Sequence, residues 1–179
     1  MIRALVLLLA LGGCAFVTPT QPGADLPRPV AAVDLQRYLG TWHEIARRPA
    51  PFQDSGGRRC ADVTATYSER PDGRINVLNR CLDALDGYRD RSATAIATPV
   101  PGSGNARLRV QFIWPLSGDY WVIGLDPEYR WALVGVPSRR LLWLLSRTPT
   151  LPEADIATAT RIAAEQGFTV DRLQRTEQR

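Results

Sequence analysis

The sequence has no lysine and a single histidine, His43. All 22 basic residues are arginine, and they are scattered along the chain rather than massed on one segment, which argues against a nucleic-acid surface. The net charge of +4 is modest; it can favour anionic headgroups or fatty-acid carboxylates without defining either. Apart from Cys14, the chain offers only His43, Cys60 and Cys81 as nitrogen or sulfur ligands, one short of the four of an ordinary closed zinc site. Neither a G-x-S-x-G elbow nor a glycine-rich phosphate loop occurs, so no enzyme activity, cofactor or metal is expected. The apolar run Ala4–Leu11 has eight residues, against roughly 20 for a membrane-spanning helix. What remains is ordinary globular composition, 45% hydrophobic and 22% charged over 179 residues, enough for one domain with a real core.

Arg3, the short apolar run and the small residues Gly12 and Gly13 read as an export signal over residues 1–13. The junction Leu11-Gly12-Gly13-Cys14 resembles the bacterial lipobox. That resemblance implies cleavage before Cys14, a diacylglycerol on its sulfur and, with Ala15 following, delivery to the outer membrane facing the periplasm. The alternative is a plain signal peptide with an incidental cysteine. Residues 14–33 carry Thr18-Pro19-Thr20-Gln21-Pro22-Gly23 and Pro27-Arg28-Pro29, and are expected to form a tether without fixed structure.

Setting Cys14 aside leaves Cys60 and Cys81, an even pair in an oxidising compartment. They flank two strand-like runs, 62–67 and 74–79, separated by the turn signal Pro71-Asp72-Gly73. Folding that hairpin brings both cysteines to its open end, so a disulfide is expected; two buried thiols or a metal pair are the alternatives. The two positions have opposite parity. A bulge, or a Cys60 lying just outside its strand, is therefore required.

Short strands continue at Ser92–Thr98, Arg107–Phe112, Tyr120–Leu125, Tyr129–Val136 and Leu141–Arg147, with turns at 99–105, 115–118, 126–128 and 137–139. Counted from Trp42, they predict an all-β fold, an eight-stranded up-and-down antiparallel barrel. One helix begins after Pro152, carries Ile156, Ala159 and Ala163 on its apolar face, and stops at Gly167. It should pack outside the barrel, followed by a short strand at Phe168–Val170.

Three segments carry a family resemblance: Gly40–Arg47 after the helical turn Leu35–Leu39, then Gly124–Val134, then Leu142–Pro149. Together they resemble the lipocalins, with wording closest to the bacterial outer-membrane, apolipoprotein D-like members. The likeness covers residues 34–175, leaving 176–179 as a tail. It implies a cup whose floor is closed by Trp42, with Gly40 opening the strand and Arg147 lying over the indole.

With Trp42 inward, the inner face takes Val63, Ala65 and Tyr67; Ile75, Val77 and Asn79; Ala93, Ala95 and Ala97; Leu108, Val110 and Phe112; Tyr120, Val122 and Gly124; Ala132, Val134, Leu141 and Trp143. Ala65, Tyr67, Val77, Asn79, Ala95, Val110, Phe112, Tyr120, Val122 and Trp143 are the candidate ligand contacts. So many small residues leave room at the centre. The resemblance implies a fatty acid or lysophospholipid as partner, its head at the mouth near arginines such as Arg47, Arg48, Arg58, Arg89 or Arg139. Two other readings stand beside it. A closed barrel could act as an interaction module or homodimer through Trp121 and Trp131. An enzyme could use Glu44, whose bland alternative is a hydrogen-bonded carboxylate near the floor. His43 faces outward with no expected role.

Overall fold

The structure, a computed structural model, describes residues 26–54, 56–113 and 116–179. The expected export segment and Cys14 lie outside the described residues.

The barrel is built from β1 (Gly40–Arg47), β2 (Cys60–Glu69), β3 (Ile75–Asp83), β4 (Arg89–Pro99), β5 (Arg107–Ile113), β6 (Leu116–Leu125), β7 (Trp131–Gly135) and β8 (Leu142–Ser146). Each strand pairs antiparallel with the next, and β1 closes the ring by pairing with both β8 and β2. Helix α1 (Leu35–Tyr38) crosses beneath the barrel. A single turn, α2 (Pro51–Asp54), sits between β1 and β2 at the opposite end, and α3 (Glu153–Glu165) lies outside. The expected fold class is the observed one, with a short ninth strand, β9 (Gln174–Arg175), added on β1.

Two apolar layers hold these elements, one on each face of the sheet. The inner cluster contains Trp42, Tyr67, Val77, Leu108, Val122, Val134 and Leu145. The outer one joins Ile45, Trp121, Ile123, Trp131, Leu142 and Leu144 to Ile156, Ala159 and Ala163 of α3. Leucine on an inner face, replaced by its neighbour on the outer, is the period of a pleated strand buried on both sides.

Several expectations need correction. The segment 26–33 is not a free tether: Val30 N–H donates to Val122 O at 2.8 Å, Val33 N–H to Gly104 O at 2.8 Å, and Arg28 N–H to the Gln166 side chain at 2.7 Å. Gly104 accommodates this strap because it has φ +57° and any Cβ there would lie 2.4 Å from Ala31 O. Prolines block helix and sheet, yet leave the other backbone amides free to pair with a groove already formed.

Residues 168–170 are not a strand. Phe168 packs into the outer cluster, and the terminal strand is β9. The expected tail is also tied down. Thr176 N–H donates to Ile45 O, Asp62 N–H to Glu177 O, and the Gln178 side chain to Glu44 O. The turn expected at 115–118 is shorter, since Gly118 is already paired with Val110 inside β6.

Candidate ligand-binding site

The floor is assembled from the α1–β1 corner. Asp34 caps α1 by accepting from Gln36 N–H at 2.9 Å and Arg37 N–H at 3.3 Å. That turn delivers Tyr38 under the barrel. Gly40, at φ +91°, then swings the chain into β1, and a Cβ there would sit 3.5 Å from Arg147 Nη1. Trp42 is fully buried, and its indole N–H donates to Tyr38 O at 2.8 Å. The Arg147 guanidinium lies 3.8 Å from the Trp42 ring and donates to Thr41 O and Arg37 O. Gly40, Trp42 and Arg147 thus occupy the structural positions expected of them.

Tyr38 stacks at 4.9 Å on Trp42 and points its hydroxyl up to Tyr120, 2.7 Å away; Tyr67 meets the same Tyr120 hydroxyl at 2.9 Å. Burial pushes all three phenols up, Tyr67 to about 12, and neighbouring phenols add to the rise at Tyr38 and Tyr120, so each is protonated at neutral pH.

Above the floor, the inner wall changes character. Tyr67, Val77, Ala95, Val110 and Val122 are buried. Ala65, Asn79, Tyr120 and Trp143 are partly accessible, and Ala93 is exposed, although all five lie on inward positions. Side chains that face into a barrel and still meet solvent define a cup open at one end. Nine of the ten candidate contacts lie on inward-facing register positions. Phe112, however, is 52% exposed, because the β5–β6 register slips between Gln111 and Ile113 and leaves it at the rim rather than in the wall. Gly124 faces outward. A bulge after Val122 sets Gly124 opposite Leu133, with Ile162 of α3 near it, and turns Leu125 inward instead. Leu141 precedes β8 and belongs to neither cluster.

The mouth holds a buried polar network that sequence reasoning did not foresee. Glu44 and Arg47 are only 3% and 4% exposed. Glu44 Oε1 accepts from Arg47 Nη1 at 2.7 Å and Thr176 Oγ1 at 2.6 Å, while Oε2 accepts from Gln53 Nε2 at 2.8 Å. Arg47 also donates to both Asp54 oxygens and to Cys60 O. Burial alone would raise the Asp54 carboxyl; hydrogen bonds from Arg47 and from Ala50 N–H outweigh it and hold the group below the usual range. Gln53 Oε1 in turn accepts from the Trp143 indole at 3.1 Å, and Phe52 lies over Trp143 at 6.3 Å. Glu44 is therefore a fully hydrogen-bonded carboxylate, but at the rim, not the floor. Arg47, expected as a headgroup contact, is consumed in this network.

Cys60 and Cys81 form the disulfide, and the bulge that parity demanded lies between Ala61 and Thr64, where Asp62 takes φ +45°. Trp121 and Trp131 are not a surface patch; both are buried in the outer layer with α3. Among the described residues no group of three or more histidine, cysteine or acidic side chains is placed to hold a metal ion.

A model of the lipocalin-like domain family matches residues 33–178. The chain is 40% identical over 170 residues to the outer membrane lipoprotein Blc of Escherichia coli K12, covering 93% of each chain. It is 38% identical over 156 residues to temperature-induced lipocalin-1 of Arabidopsis thaliana, covering 83% of this chain and 81% of the relative. Lobster apocrustacyanin A1 shares the fold at a TM-score of 0.64 and 14% identity, over 89% of this chain and 94% of its own. The family model over residues 33–178, with relatives 38% and 40% identical over most of the chain, makes this chain a member of the lipocalin-like family.

Proposed function

We propose that the cup binds a lipid with a single long acyl chain, a fatty acid or lysophospholipid, and stores or carries it in a bacterial envelope. The observation that carries this reading is the graded inner wall: apolar in its lower half apart from the three floor phenols, sealed by Trp42, and accessible upward along Ala65, Ala93 and Trp143. An acyl chain gains about 0.8 kcal/mol for each methylene removed from water, and a charged head kept at the mouth pays no desolvation. Ala65, Tyr67, Val77, Asn79, Ala95, Val110, Tyr120, Val122 and Trp143 line the path, with Phe112 at its rim. The relatives named outer membrane lipoprotein support the corresponding location, with Cys14 as the lipidated anchor on the periplasmic face.

Native mass spectrometry of protein expressed in bacteria from residue 15 onward, followed by organic extraction, tests the binding. A bound fatty acid or lysophospholipid is expected. An empty protein that also ignores a fluorescent fatty acid at micromolar concentration overturns the reading. Separately, radiolabelled palmitate should enter the full chain in the bacterial envelope and be lost in Cys14→Ala; equal labelling of both chains removes the anchor.

A further inference from the structure

The three phenols at the floor leave a proton unassigned. Each oxygen in the group has a partner, and among the described residues no buried polar side-chain atom is orphaned. Three hydroxyls nevertheless carry three protons, and only two hydrogen bonds join them, both through the Tyr120 oxygen. All three stay protonated at neutral pH because burial raises them. One O–H therefore finds no acceptor among the described residues. Tyr38 and Tyr67 are buried, while Tyr120 stands on an inward register position and is only partly buried. Every arrangement makes the same two bonds and leaves one O–H over; the one that keeps the spare proton off the two buried hydroxyls has Tyr38 and Tyr67 both donating to Tyr120, the least buried of the three, whose own proton is then free for a partner inside the barrel. The wall around it is otherwise hydrocarbon: Val77, Leu108, Val110 and Val122.

We infer that the Tyr120 hydroxyl is a hydrogen-bond donor for an uncharged acceptor oxygen on the buried end of the ligand, so that the cup selects acyl chains oxygenated near the far end, such as oxo or hydroxy fatty acids, over plain ones. This rests on the lipid-binding reading above and narrows it. A carboxylate is the wrong partner at that depth, because a full charge would lose its hydration against apolar walls and gain one neutral donor. A ketone or hydroxyl oxygen loses far less and satisfies a proton that a hydrocarbon tail would leave bare. The same preference for a complementary partner over an apolar isostere arises wherever a site is built around a buried polar group.

The test is a titration, followed by tryptophan fluorescence and calorimetry, of hexadecanoic acid against a series of fatty acids bearing a methyl ketone at the far end, from 12 to about 18 carbons so that one length reaches the floor. The best-fitting ketone should bind about 3- to 10-fold more tightly than the plain acid of equal length, the range one net hydrogen bond supplies. Tyr120→Phe should abolish that preference. Tyr67→Phe should keep it, since two hydroxyls joined by one bond still leave a spare proton. Equal affinity for ketone and plain acid across the series overturns the inference while leaving lipid binding intact. A ketone preference that survives Tyr120→Phe also overturns it, as does a plain acid whose binding weakens in Tyr120→Phe, which means the carboxyl end enters first. No binding of any chain by the wild-type protein instead defeats the lipid-binding reading itself.

Discussion

The two ends of the barrel are built on opposite principles. The floor is an aromatic stack: Tyr38 on Trp42, with Arg147 beneath, held by hydrogen bonds to backbone carbonyls that do not titrate. The mouth is held by a buried ionic network, Glu44–Arg47–Asp54, whose members must stay charged to stay paired. Apolar residues reverse the pattern, being sealed inside at the floor and bare at the rim, where Phe52 is 56% exposed and Phe112 also faces solvent. A floor has only to be stable. A mouth has to admit something, and a polar hinge of specific bonds can hold α2 over the opening without filling the space beneath it.

The comparison can be broken at either end. The largest effect is expected at the floor. Trp42→Ala removes a fully buried indole and should cost about 3–5 kcal/mol, seen as a lowered denaturation midpoint at every pH where the protein folds. A loss under 1 kcal/mol would mean that the floor collapses to refill itself. At the mouth, Arg47→Ala leaves Glu44 buried beside no cation and should cost about 3 kcal/mol by the same denaturation assay. A loss confined to a few tenths would show that the network is not buried in solution. Arg147→Lys keeps the charge but cannot lie flat on the indole while reaching two carbonyls. It should cost about 1 kcal/mol, with no effect on the pH dependence of stability.

The subtlest prediction separates the ends by acidity. Asp54 is depressed in the folded chain, so its contribution to stability is present above the ordinary carboxylate range and is lost as pH falls through the folded value. Wild-type stability should therefore decline on acidification more steeply than that of Asp54→Asn, measured by thermal melts from pH 7 downward. Parallel curves would remove Asp54 from the account. Trp42→Ala should retain the wild-type slope, since the groups in contact with the indole, the Tyr38 phenol and the Arg147 guanidinium, stay protonated across that range.

Much of the cup was legible because parity propagates along paired strands. From Trp42 inward, the register itself sets Ala65, Asn79 and Ala93 side by side on consecutive strands. The same rule required a bulge near the cysteines, and one is there. Parity fails where an unseen bulge resets it, which is why Gly124 turned out to face α3. It is also silent about outward apolar residues: whether Trp121 is a bare patch or a helix seat depends on where α3 docks, and alternation carries no such information. The mouth network was illegible for another reason. It joins residues 44, 47, 53, 54 and 176: an unseen bulge in β1 between Glu44 and Ala46 brings two positions of opposite parity together, and the divergence of β1 from β2 makes room for α2 and the returning Thr176.

That divergence has a consequence for how the chain comes to be folded. β1 lies early in the folded segment and pairs locally with β2 only over Gly40–His43; its other partners are β8 and β9, more than 90 residues onward, and Glu44 waits for Thr176. A chain threaded through a membrane from its N-terminal side cannot complete this seam until residues near 175 have crossed. Until then its barrel is an open sheet with a bare edge, slow to close because the decisive contacts are the most distant ones. An architecture closed last by its remote strands keeps the chain pliable until nearly all of it is available to fold.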